Sequence, residues 1–273
     1  MVALSAQRAK NSRLVQGLGR AGMVCYGLIH LILGYLAVRV AFGDSGQRAD
    51  QNGAIQEVGA TTFGSIVLWV LTIGLVAYGL WQLMMAAISY HWVTKHGKRV
   101  RKRIGAAFRG VIGISLGLYA GKLVTGAGSS GQSGSNQKQQ EWTAKLLALP
   151  AGQVLVAIVA AVVIGVAVAE IVKGVKKSFV KDLDMDDLPN GTQQWVRRLG
   201  VAGYIAKGVV LGIVGVLLGF AAFDSKPQEA GGLDRALKTL AAQPFGTVAL
   251  VIVALGLAAF GVYCFAAARA HKS

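Results

Sequence analysis

The sequence predicts an all-α polytopic membrane protein, with six transmembrane helices built as three parallel two-helix repeats in a pseudo-threefold bundle. Three observations predict it. Hydrophobic residues make up 54% of the 273 residues and charged residues 15%, with a mean hydropathy of +0.53; a soluble domain carries about 25% charge. The apolar residues gather into runs long enough to cross a bilayer, whose core of roughly 30 Å needs about 20 of them per helix. Glycines then recur at one spacing in alternate runs. Glycine is 37 of 273 and proline 4, without a G-X-Y period, which excludes collagen and proline-rich disorder.

Six segments qualify as spans: 21–42, 64–89, 105–124, 152–173, 201–223 and 246–268. They read as helices because only helices and closed barrels satisfy the backbone in lipid. A barrel strand is about ten residues of strict alternation, and the run from Val154 to Val168 does not alternate. The chain divides into an N-terminal segment 1–20, a first repeat 21–89, a basic loop 90–104, a second repeat 105–173, a charged loop 174–200 and a third repeat 201–269.

The net charge of +16 first suggests nucleic acid. Its distribution argues otherwise. Arg8, Lys10, Arg13 and Arg20 precede the first span; Lys95, Lys98, Arg99, Arg101, Lys102 and Arg103 follow the second. Lys173, Lys176, Lys177, Lys181, Arg197 and Arg198 follow the fourth, and Arg269 and Lys272 close the chain. These alternate connections hold eighteen basic residues against seven in the others: Arg48, Lys122, Lys138, Lys145, Lys226, Arg235 and Lys238. The positive-inside rule then places both termini in the cytoplasm. The same loops attract anionic lipid. The first 20 residues lack an apolar core, so the first helix is expected to serve as an uncleaved insertion signal. Cys25 and Cys264 lie near the cytoplasmic ends of the first and last spans without a CxxC, and are expected to be free thiols.

The odd-numbered spans align without gaps. Gly22, Gly27 and Gly34 match Gly105, Gly110 and Gly117, then Gly203, Gly208 and Gly215. In the even spans, Phe63-Gly64 matches Ala151-Gly152 and Phe245-Gly246, while Gly74 and Gly79 match Gly256 and Gly261. Each copy starts on the same side, so the repeats are parallel, unlike the inverted repeats of many transporters. Gly113, Gly117 and Gly121 form GxxxGxxxG, and Gly208/Gly212 and Gly215/Gly219 continue the theme; small residues let helix backbones approach closely in lipid. Each outer connection carries a short amphipathic segment, at Ala54–Ala60, Trp142–Leu149 and Leu233–Ala242, expected to lie on the membrane surface. The stretch 126–136, GAGSSGQSGSN, reads as a flexible loop.

With its tandem glycine-rich hairpins, opened by "LGRAGMVCYGLIHLILG" and "LGVAGYIAKGVVLGIVG", the chain resembles the bacterial domain of unknown function 1206 family over residues 17–269. The second copy departs most, lacking the LG opening and the paired glycines of its even helix. The resemblance implies a bacterial inner-membrane protein with six helices. It carries over no catalytic residue.

No GxSxG, HExxH, P-loop or Rossmann pattern is present. No catalytic, metal or cofactor site is predicted. The acidic run Asp182, Asp184, Asp186, Asp187 fails as a calcium loop, because Asp187 and Gln193 stand where glycine and glutamate are needed. Bis-histidine haem is disfavoured, since His91, His96 and His271 lie at or beyond the cytoplasmic interface. The polar candidates inside the spans are His30, Arg109, Glu170 and Lys207. An ionisable group near the midplane is a functional candidate by default. The repeat alignment sets Arg109 opposite Glu170, an expected ion pair, and leaves Lys207 without a partner in its own hairpin. The alternative for Glu170 is a bond to Lys173.

The expected function is a non-enzymatic scaffold or accessory subunit, with protein partners in the membrane and no nucleic acid. The alternatives are a small transporter or channel using Glu170, Arg109, Lys207 and His30, and a lipid- or quinone-binding membrane protein.

Overall fold

A computed structural model of the chain describes residues 13–43, 48–88, 96–126, 135–183, 188 and 191–270. Arg8, Lys10, His91, Lys95, Asp184, Asp186, Asp187, His271 and Lys272 lie outside the described residues, as does most of 126–136. Among the described residues there are nine α-helices: α1 Arg13–Ala41, α2 Gln51–Gly59, α3 Gly64–Ile88, α4 His96–Val124, α5 Ser135–Leu147, α6 Gly152–Val175, α7 Thr192–Phe223, α8 Leu233–Ala241 and α9 Gly246–Ala270. Six of them are long and apolar enough to cross a membrane: α1, α3, α4, α6, α7 and α9. The even spans start where hydropathy places them, at 64, 152 and 246. The odd ones do not. Helices α1, α4 and α7 begin about two turns before the apolar run does. Lysine and arginine are good helix formers, so the backbone stays helical outside the span, and an apolar run marks where lipid begins rather than where the helix does.

One turn is built three times, once at the head of each even span. The amides of Gly64, Gly152 and Gly246 donate to the carbonyls of Thr61, Leu149 and Gln243 at 2.8, 2.9 and 2.7 Å. Glycine is required there by close approach. A Cβ on Gly64 would stand 2.6 Å from the carbonyl oxygens of Val58 and Gly59, and Gly152 and Gly246 are crowded in the same way by the ends of α5 and α8. Ala151 and Phe245, one residue earlier, both take φ of 60°.

The short helices are not laid only against lipid. Ala54, Ile55, Ala236 and Leu237 are fully buried, so α2 and α8 insert their apolar faces into the protein. Asp50 caps α2 by accepting from the Gly53 amide at 2.7 Å. Asp234 accepts from the Ala49 amide at 2.9 Å and pairs with Lys238 at 3.1 Å, tying the first of the three connections that carry short helices to the third. Gln140 of α5 donates to the carbonyls of Gln228 and Ala230, which brings in the second.

The chain divides into two compact units, residues 1–28, 55–130 and 264–273, and residues 29–54 and 131–263. In the first, α3 and α4 pack along each other; in the second, α6 and α7 do. These pairs join consecutive repeats, and the contact is reproduced between equivalent residues. A Cβ on Gly117 would stand 2.7 Å from Val76 Cγ2 in the first unit, and one on Gly215 2.6 Å from Ile164 Cγ1 in the second. A third copy occurs within the second unit, where a Cβ on Gly34 would meet that of Ala258 at 3.1 Å. Val76, Ile164 and Ala258 are one position in the repeat alignment.

The hairpins of repeats 1 and 3 each have a contact of their own as well. In the first unit a Cβ on Gly22 would overlap Tyr78, and one on Gly74 would overlap Cys25. In the second unit a Cβ on Gly203 would stand 2.5 Å from Phe260 Cβ, and one on Gly256 would overlap Ala206. These pairs too are equivalent in the alignment. Helices α1 and α7 therefore use two glycine faces, one toward their own hairpin and one toward another repeat.

Candidate functional site

Three polar groups inside the spans of the second unit, His30, Lys173 and Lys207, converge on an aromatic cluster. It is assembled from three places. Helix α6 ends at Val175, and Lys177 turns the chain with a φ of 51° into a short 3-10 segment, Ser178–Asp182. That segment delivers Phe179, 1% exposed, onto Gly200 of α7. Phe179 stacks on Tyr204 at 5.1 Å between ring centres and meets Tyr263 of α9 edge-on at 5.3 Å. Tyr204 in turn meets Phe260 at 5.3 Å. Edge-to-face and offset pairs at these separations are favourable beyond their buried area.

Two ammonium groups sit on this cluster. Lys173 donates to the Tyr204 hydroxyl at 3.0 Å, with its nitrogen 4.4 Å from the ring centre. Lys207 holds its nitrogen 4.1 Å from the centre of Phe260. His30, 2% exposed, lies against the same Phe260 ring at 4.8 Å. Two of the four polar candidates, His30 and Lys207, are thus brought together on one ring. The expectation that Lys207 lacks a partner in its own hairpin is corrected, because its partner is a π face one turn from the position opposite it. Repeat 1 uses the same places differently: Tyr26 replaces Lys207 and Tyr78 replaces Phe260, and the two rings stack at 5.3 Å. Gln82 donates to the Tyr78 hydroxyl at 2.8 Å.

Glu170 lies one turn before Lys173 on α6 and is half-buried. Its Oε2 is buried and has no hydrogen-bond partner among the described residues. Lys173 is engaged by Tyr204. Arg109 belongs to the first unit, on α4, where its Nη1 is the nearest group to a Cβ on Gly105, at 3.6 Å. No group of three or more metal-ligating side chains occurs among the described residues.

The glycines sort by contact. Gly110 and Gly208 are crowded by equivalent residues, Leu83 and Ile171, and Gly113 and Gly121 by Gly79 and Thr72. Gly27 is buried. Gly105 meets only the arginine on its own helix, Gly212 meets Ala167 at an ordinary 3.9 Å, and Gly219 has nothing within 4 Å. The aromatic partners Tyr204, Phe260 and Tyr263 are not evident from glycine spacing. A signal for Phe260 exists in the alignment, where an aromatic residue precedes the second glycine of the even helix in repeats 1 and 3, as Tyr78-Gly79 and Phe260-Gly261.

Three tandem stretches, 21–89, 104–177 and 202–271, match the family described as Domain of Unknown Function (DUF1206). The chain belongs to this family. The three matched stretches coincide with the three repeats whose interfaces recur above. An uncharacterised protein of Bacillus subtilis (strain 168), YxxB, is 32% identical over 249 residues, covering 91% of this chain and 88% of that protein. No solved structure matches the chain.

Proposed function

We propose that this family member is a non-enzymatic membrane scaffold or accessory subunit, set in a bacterial inner membrane with both termini in the cytoplasm. It needs no cofactor for this role. The observation that carries the proposal is the outward face of α6. Only 17% of its most apolar stretch is buried in the protein, against 56% for α1. Val154, Ile158 and Val162 point outward, and Gly165 between such residues has nothing within 4 Å. A smooth face with an open glycine suits a partner's transmembrane helix, because small residues permit close backbone approach. The polar groups of the spans support the same view, since Lys173, Lys207 and His30 are engaged with rings inside the fold.

The test is co-purification from native membranes with wild type and Gly165→Leu. The added side chain meets open space, so the variant should fold with unchanged Tm and lose its co-purifying membrane proteins. Identical partners for both proteins would remove α6 as the docking face. A complete lack of specific partners would overturn the scaffold role.

Ion or solute movement is the second reading, favoured by the unpartnered buried oxygen of Glu170. A flux in proteoliposomes that Glu170→Gln abolishes, with stability intact, would establish it over the scaffold.

A further inference from the structure

The inner end of α6 is divided like a phospholipid. Val168, Val172 and Val175 form one exposed stripe, 54%, 41% and 62% exposed. The stripe is continued at the next helical step by Lys176, which caps the helix in αR geometry, and by exposed Lys177. Gly174 is pressed against Tyr204 and Val201 of α7, which sets Lys173 level with Tyr204. Six and seven residues back along α7, at 1.5 Å per residue, Arg198 and Arg197 lie about 9–10 Å further toward the start of that helix. Both are exposed, beside Trp195, which is 62% exposed with the Arg198 guanidinium 5.8 Å from its ring centre. Phe179 and Gly200 hold the turn after α6 against α7, so the backbone that carries these cations is fixed in both helices. Tryptophan favours the membrane–water interface, and the bilayer with its headgroups extends several Å beyond the apolar core.

We propose that this end of the second unit is a binding site for an anionic phospholipid. The charge for the headgroup comes from Lys173, Lys176, Lys177, Arg197 and Arg198, with Trp195 at the interface and an acyl chain along Val168, Val172 and Val175. A soluble phosphate would use the cations and leave the valine stripe without a role. This inference deepens the general attraction of the basic loops for anionic lipid and rests on it.

The experiment uses the full chain in detergent with added phosphatidylglycerol or phosphatidylcholine, read by lipid retention in native mass spectrometry and by Tm. Wild type should retain phosphatidylglycerol at least ~10-fold better than phosphatidylcholine. One cation near anionic lipid is worth about 1 kcal/mol, so Lys176→Gln alone should cost about 5-fold. The triple variant Lys176→Gln, Arg197→Gln, Arg198→Gln should lose the preference while keeping the wild-type Tm in phosphatidylcholine. A control removing equal charge, Lys122→Gln, Lys145→Gln, Lys226→Gln, should keep it. Equal losses in both triple variants would overturn the site and leave only diffuse attraction. No preference in wild type would overturn the general attraction as well. Stabilisation by inorganic phosphate alone, equal to that by phosphatidylglycerol, would make this a soluble-anion site instead. If the triple variant melts early, Lys176→Gln decides the question, and an unchanged preference overturns the proposal.

Discussion

Lys207 holds its ammonium nitrogen 4.1 Å from the centre of the Phe260 ring, inside a helix that crosses the membrane. A cation over an aromatic face is worth roughly 0.5–2 kcal/mol, more when desolvated. In repeat 1 the same place is filled by Tyr26 stacked on Tyr78. The two solutions should be interchangeable. Lys207→Tyr is expected to keep a Tm close to wild type, whereas Lys207→Ala should lower it by several degrees. Equal losses for both variants would show that the ring contact contributes nothing to stability.

Gly117 and Gly219 separate contact from mere composition. A Leu at Gly117 must displace Val76 and the backbone of α3, whereas nothing lies within 4 Å of Gly219. Overpacking of this kind costs typically 1–3 kcal/mol. Thermal melts in detergent should show Gly117→Leu strongly destabilised and Gly219→Leu near wild type. The reverse order would contradict the α3–α4 interface.

The turn into α6 offers a paired test. Gly152→Ala places a methyl against the carbonyls of Leu146 and Leu147 and is expected to lower Tm. Ala151 sits at φ 60°, where an L residue costs about 1–2 kcal/mol. Ala151→Gly should therefore be neutral or stabilising, despite the greater flexibility it gives the unfolded chain. A destabilised Ala151→Gly with a tolerated Gly152→Ala would mean that the turn has another conformation.

Topology follows from the eighteen-to-seven division of basic residues. Reporter fusions after residues 130 and 230 should report the outside, and those after 97 and 185 the cytoplasm. An inverted pattern would reject the proposed orientation, and sides that fail to alternate would reject the parallel repeats.

Glu170 keeps one carboxylate oxygen buried without a hydrogen-bond partner. A neutral amide costs no more to bury in such a place than a carboxyl group does. Glu170→Gln should thus leave Tm unchanged or raise it. A clear fall would show that the carboxylate is held by a cation, and combining the variant with Arg109→Gln would test whether Arg109 is that cation, since only interacting residues give non-additive effects.

Much of the architecture was legible in the linear chain, and for local reasons. A bilayer demands a run of about 20 apolar residues and internal hydrogen bonding, so the six spans and the heads of α3, α6 and α9 could be read directly. The glycine spacing disclosed three repeats because it counts along one chain. Tertiary structure decided what those residues touch. Successive residues in a helix point about 100° apart, so a spacing selects a face without saying what covers it. Gly117 and Gly215 proved to lie at crossings between repeats, whereas Gly219 lies at none. Lys207 had no acid to find by alignment, and its partner is a ring that only packing could bring beneath it. The early starts of α1, α4 and α7 are not legible in hydropathy, which senses the solvent of a helix and not the helix.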